Sequence, residues 1–300
     1  MNEELYNLLK KNVDHTGLPV MGSPLFLETK NKYGKEEFRK TLAEFITKEK
    51  PPYPLKEFNM EKVVDNFRKL QKADFTKYLS QPDNIMEKYD DYKYSYEKYG
   101  LGLIDCPSTF NYCSDAFMND LRMNCGSYGF KSPITRWNEG DNIWGAFGPI
   151  WRGVNTEQDL SRETYTMAFR LGTYIATQFK PIVAKTIYEM SGAKTVLDTS
   201  MGWGDRLTGF YASNATHYIG CDPNPNTFTR YEKMIKFWDG IYDKSRGKKT
   251  VKLYPCGAED LPWNEINNVD CAFTSPPYFS TERYNEGGEK EELQSWKRYD

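Results

Sequence analysis

The chain is short of the residues that build metal centres and disulfide scaffolds. Its 300 residues include two histidines, His15 and His217, standing far apart, and six cysteines with no C-x-x-C pair among them. That excludes an obvious zinc site and a disulfide framework, and predicts reduced structural thiols. No apolar run approaches the roughly 18 residues of a membrane span. The start, Met1-Asn2-Glu3-Glu4, lacks the basic residues of a secretory signal. A cytoplasmic protein with no membrane partner is therefore expected. Charge of one sign is also missing: the net charge is −2, so nothing draws the whole chain toward a polyanion. Local patches remain possible, at Lys244-Ser245-Arg246-Gly247-Lys248-Lys249 and at Arg283 with Lys297-Arg298. The first is more often a solvated turn between a helix and a strand.

Aromatic residues are abundant. They make up 15% of a chain that is only 39% hydrophobic, so rings carry much of the core burial. Two broad regions are expected. In residues 1–160, helical spacing predicts helices near 4–11, 35–47, 60–79 and 83–99, with Pro51-Pro52-Tyr53-Pro54 as a stiff break. From Gly100 to Gly153 the composition turns to Gly, Pro, Cys and aromatics. Trp137, Trp144 and Trp151 recur every seven residues there, but the intervening glycines rule out a continuous helix. These tryptophans, flanked by Arg136 and Arg152, either line a channel for a base or pack as core.

Residues 161–300 have a different rhythm. Helical periodicity from 157 to 190 leads into strands near 194–198, 217–222, 250–254 and 269–274, which alternate with helices near 205–213 and 225–239. This βαβ alternation predicts an α/β fold, a Rossmann-like doubly wound parallel sheet behind a mainly helical N-terminal region. In such sheets ligands lie at the carboxyl ends of the strands. The first strand ends in Asp198, followed by Thr199-Ser200-Met201-Gly202-Trp203-Gly204 and a helix start. Gly202 and Gly204 permit a tight turn and close approach of a ligand to the backbone. The second strand ends in Asp222, about twenty residues on, the spacing at which a carboxylate reaches ribose hydroxyls. Gly257-Ala258-Glu259-Asp260-Leu261-Pro262 follows the third strand, and the fourth delivers Thr274-Ser275-Pro276-Pro277-Tyr278.

From Phe179 to about Tyr284 these motifs, in this order, resemble the class I S-adenosylmethionine-dependent amino-methyltransferases that act on DNA, including phage and bacterial enzymes. The resemblance implies S-adenosyl-L-methionine as cofactor. It implies that Asp198, Gly202 and Gly204 form the cofactor loop, that Asp222 meets the ribose and that Glu259 lies near the adenine. Gln178-Phe179-Lys180-Pro181 falls where the family approaches the methionine end of the cofactor. Ser275, Pro276, Pro277 and Tyr278 match the catalytic motif, and its Ser-led form leans towards N4-cytosine over N6-adenine. The family core has seven strands, and four are visible here, so a further C-terminal segment or a partner chain is expected to complete the sheet. The setting implied is the cytoplasm of a bacterial or virus-infected cell.

The chemistry of the diproline motif fits that use. An exocyclic amino group is a poor nucleophile because its lone pair is delocalised into the ring. The Ser275 hydroxyl and the Pro276 carbonyl can accept its two N–H bonds. Pro276 and Pro277 have no N–H and fixed φ, which stiffens the loop. Tyr278 offers a face for an extruded base, worth roughly 1–3 kcal/mol of stacking against the few kcal/mol of extrusion. DNA is the expected partner. RNA, a protein glutamine side chain, or a non-catalytic role holding cofactor or nucleic acid are the other readings these residues allow.

Overall fold

The computed structural model describes residues 2–79, 106–127, 129–140, 143–147, 158–276 and 282–284. In chain order the helices and strands are α1 (Glu3–Lys11), α2 (Ser23–Glu49), α3 (Met60–Lys72), α4 (Asn111–Met123), α5 (Pro133–Glu139), α6 (Ile143–Ala146), α7 (Arg162–Gly172), α8 (Pro181–Met190), β1 (Thr195–Asp198), α9 (Asp205–Ala212), β2 (His217–Cys221), α10 (Pro225–Ile241), β3 (Thr250–Tyr254) and β4 (Cys271–Ala272). They fall into two compact units that interleave along the chain: one takes residues up to Glu57, Asn119–Ala176 and the segment from Tyr278, and the other Phe58–Met118 and Thr177–Pro277. The single boundary at residue 160 expected from composition coincides with neither. Composition reports local chemistry, whereas these units are assembled from segments distant in sequence.

The helical unit is built on amphipathic faces. In α1 the Asn2 side chain caps the Leu5 amide at 3.1 Å, and Leu5, Tyr6 and Leu9 turn inward. Helix α2 is interrupted at Gly34 (φ 73°), so the helix expected near 35–47 is its second half. Phe38, Leu42, Phe45 and Ile46 from that half join Trp137, Phe147, Tyr165 and Phe169 in one aromatic core. Trp137 is a core residue: its indole N–H donates to Pro51 O at 2.7 Å, and Tyr53 meets it edge-on at 5.7 Å. Trp144 is 43% exposed, with the Arg39 guanidinium 4.0 Å above its ring. Trp151, Arg152 and the helix expected at 83–99 lie outside the described residues.

The other unit is α/β. Among the described residues its four strands are all parallel, in the order β3-β2-β1-β4, which is the arrangement of a Rossmann-like half. Register is fixed over β1 and β2 from Thr195↔His217 to Asp198↔Gly220. Apolar positions drive this order: Val196 and Leu197 of β1 are buried, while β3, at the sheet edge, alternates between exposed and half-buried. Pro181 and Pro225 occupy the first turns of α8 and α10, where a missing N–H costs nothing. Helix α3 packs on α10 through Phe67 stacked on Trp238 at 4.3 Å.

The chain winds outward from β1 to β2 to β3 and then returns to place β4 on the opposite side of β1. The reversal point of a doubly wound sheet therefore lies between the carboxyl ends of β1 and β4. No helix among the described residues is long and apolar enough to cross a membrane.

Candidate functional site

Two loops leave the sheet at that reversal point, and one side chain joins them. Ser200, two residues past β1, donates its hydroxyl to Ser275 O at 2.9 Å and lies 2.6 Å from the Thr274 hydroxyl. A serine has one proton to give. With that proton on the Ser275 carbonyl, Thr274 is the donor to Ser200. Ser275 thus has its carbonyl fixed, while its hydroxyl makes no hydrogen bond among the described residues. Pro276 is exposed beside it; Pro277 and Tyr278 lie outside the described residues.

Ser200 is itself held from below. Asp198 is fully buried, and its carboxylate accepts from Arg206 Nε at 2.8 Å, from Tyr218 OH at 2.6 Å and from the Ser200 amide at 3.3 Å. Arg206 also donates to Ser200 O. Burial alone would lower the Arg206 pKa, but the Asp198 carboxylate outweighs it and holds the guanidinium charged above its ordinary value. Asp198 is therefore committed inside the protein, and serves the loop by organising it.

The glycine turn follows. Gly202 (φ 56°) and Gly204 (φ 72°) both adopt the left-handed region that other L-residues enter only at a cost. Their surroundings differ. A Cβ on Gly202 would meet nothing closer than Ser200 O at 3.9 Å, so that face of the turn is open to a ligand. A Cβ on Gly204 would come within 2.8 Å of the Met234 side chain, so this glycine serves packing.

Asp222 closes the turn from β2. Its Oδ2 accepts from Gly202 N at 2.9 Å, and its Oδ1 accepts from Asn224 N at 3.0 Å and from the Thr227 hydroxyl at 3.2 Å. Tyr231 has one hydroxyl proton and two acceptors in reach, Gly202 O at 2.5 Å and Asp222 Oδ2 at 3.1 Å. Burial raises the Asp222 pKa, against the lowering effect of these donors. Glu259 is exposed after β3, with its carboxylate folded over Gly257.

The segment before α8 reaches the same region. The Gln178 amide nitrogen has three acceptors in reach of its two N–H bonds, Asp205 Oδ1 and Ser114 Oγ each at 2.9 Å and Asn111 O at 3.0 Å. Ser114 donates to Asp205 as well. Phe179 meets Phe273 edge-on at 5.7 Å and lies under the Arg206 guanidinium at 5.5 Å.

Of the residues singled out from sequence, Asp198, Gly202, Gly204, Asp222, Ser275 and Pro276 all lie on segments at the carboxyl edge of one parallel sheet, and Glu259 follows its edge strand. Sequence reasoning missed Ser200, Arg206, Tyr218 and Tyr231. An arginine soon after a strand-end acid was a usable signal for the Asp198 pair; the two tyrosines carried none.

The basic run at 244–249 is largely taken up in structure. Arg246 donates to Glu189 at 3.2 Å, Asn214 at 3.0 Å and Gln71 O at 2.5 Å. Lys249 is buried and donates to the Phe210, Ser213 and Ala215 carbonyls. Lys244 and Lys248 remain exposed. All six cysteines are free thiols, His217 begins β2, and no group of three or more metal-ligating side chains occurs among the described residues. The chain matches no family model, no curated protein and no solved structure.

Proposed function

We propose that this chain is a methyltransferase that uses S-adenosylmethionine to methylate an exocyclic amino group of a DNA base, with N4 of cytosine favoured over N6 of adenine. One observation carries the reading. Ser200 links the glycine loop after β1 to the Ser-Pro segment after β4 at the point where the strand order reverses, so a cofactor loop and an amine-binding loop would meet at one rim.

The residues present fit such a cofactor. The open face of Gly202 lets a ligand approach the backbone, and we assign the ribose hydroxyls to Asp222, the acid just past β2. To Glu259, exposed past β3, we assign the adenine amino group. When bound, S-adenosylmethionine supplies an activated methyl group on a positively charged sulfur.

The rest of the chemistry falls to the chain. The Ser275 hydroxyl accepts one N–H of the target amino group and the Pro276 carbonyl the other, drawing the nitrogen out of conjugation with its ring. Tyr278 stacks on the extruded base. No strong base is needed, since the proton leaves after the nitrogen has become cationic, and positioning supplies most of the acceleration.

Incubation with methyl-labelled cofactor and separate DNA, RNA and protein pools tests the proposal. Label is expected in DNA and is lost with Ser275→Ala. Label in RNA or protein alone, or cofactor binding without transfer to any pool, contradicts it.

A further inference from the structure

We infer that Ser200 is a positioning residue for the methyl-transfer step, a hook on the glycine loop that sets where the Ser275–Pro276 peptide stands. The inference rests on the function proposed above and adds a residue to it. Ser200 is fixed on two sides. Its amide donates to Asp198 Oδ1 at 3.3 Å, its carbonyl accepts from Arg206, and both partners are buried, at 0% and 4% exposure. Its hydroxyl is the group left to reach outward, and it reaches the loop after β4 through Thr274 Oγ1 and Ser275 O.

The direction of these bonds matters. Thr274 gives its proton to Ser200 and Ser200 gives its own to the Ser275 carbonyl, so the two hydroxyls form a short oriented chain. Fixing the Ser275 carbonyl fixes the plane of the Ser275–Pro276 peptide. Pro276 cannot relax its φ, and Pro277 after it in the sequence restricts its ψ, so the placement is passed on to the Pro276 carbonyl. Below the hook, the last ladder bond of this strand is Phe273 N to Leu197 O at 2.9 Å. Beyond Phe273, the Ser200 contacts are what tie the segment to the sheet among the described residues. A displacement of about 1 Å in a positioning group can cost roughly a hundredfold in rate, so a hook of this kind acts on turnover.

Ser200→Ala and Ser200→Thr in the full chain test this, through three readouts: cofactor affinity by calorimetry, kcat with DNA, and hydrogen exchange at the Phe273 amide. For Ser200→Ala the expected result is unchanged cofactor affinity, kcat lower by roughly 10- to 100-fold, and faster exchange at Phe273. Ser200→Thr keeps the hydroxyl and is expected to restore most of kcat. Wild-type kcat and exchange in Ser200→Ala would overturn the inference. So would a fall in kcat that merely follows a fall in cofactor affinity with exchange unchanged, since Ser200 would then be a cofactor contact. A wild-type chain that neither binds cofactor nor transfers methyl groups sinks the proposed function, whereas the exchange comparison still decides whether Ser200 restrains the loop.

Discussion

Arg206 and Asp198 form a buried ion pair, Nε to Oδ2 at 2.8 Å, with the two side chains 4% and 0% exposed. The pair links the end of β1 to the first turn of α9, and its energetics are those of two charges that need each other. Removing one partner leaves the other uncompensated in a low dielectric, at a cost of about 3–5 kcal/mol. Arg206→Met is therefore expected to lose that much in urea unfolding. Combined with Asp198→Asn, the loss should be well short of the sum of the two single variants. Additive losses would mean that the two side chains act independently.

The two glycines of the turn should differ in what they tolerate. Alanine at either position pays about 1–2 kcal/mol for the left-handed backbone. Only at Gly204 does the new Cβ also meet the buried Met234, 2.8 Å away. Gly204→Ala is expected to cost about 1 kcal/mol more than Gly202→Ala as Met234 repacks. Gly202→Ala should instead weaken cofactor binding, because its Cβ stands on the open face. Thermal unfolding and calorimetry of both variants check the contrast, and equal stability losses would refute it.

Lys249 gives a pH signature. Burial first, and Arg246 second, push its pKa down from 10.5 to about 7. In the unfolded chain the amine holds its proton to the ordinary value, so between about 7 and 10.5 the unfolded state binds more protons than the folded state. Unfolding free energy must then rise with pH in that window, with a limiting slope of about 1.4 kcal/mol per pH unit. Buried tyrosines act in the opposite sense. Tyr165, Tyr188, Tyr218 and Tyr231 are held by burial well above 10.0, so the unfolded chain releases their protons first and stability falls above that pH. Wild type minus Lys249→Met, measured by urea unfolding at pH 7 and pH 9, isolates the lysine. The difference should grow in favour of wild type as pH rises, and a flat difference would show that the ammonium stays charged on its three carbonyls.

The α/β unit was legible because its signals are local and repeated. Apolar strands ending in Asp198 and Asp222, glycines before α9 and a proline opening α10 each announce themselves within a few residues. Helix α4 escaped notice because Asn111, Cys113, Ser114 and Asp115 are weak helix formers; buried Cys113 and Met118 hold it by packing instead. The tryptophan spacing gave no means of separating core from surface, and the structure puts Trp137 in the core and Trp144 near solvent. In the site, sequence located the acids but not their partners. Asp198 looked like a ligand-facing carboxylate, and it is instead spent on Arg206 and Tyr218, the latter a strand residue twenty positions on. Such pairings depend on strand register, which no single stretch of sequence encodes.

In the function proposed here, Ser275 and the loop it heads present a base amino group to a methyl donor held by the Gly202 turn. Mass spectrometry of nucleosides from DNA incubated with the full chain and S-adenosylmethionine is the decisive measurement. N4-methylcytosine is expected with the wild-type chain and none with Ser275→Ala. Unmethylated DNA from a chain that binds the cofactor, or equal methylation by both proteins, would contradict it.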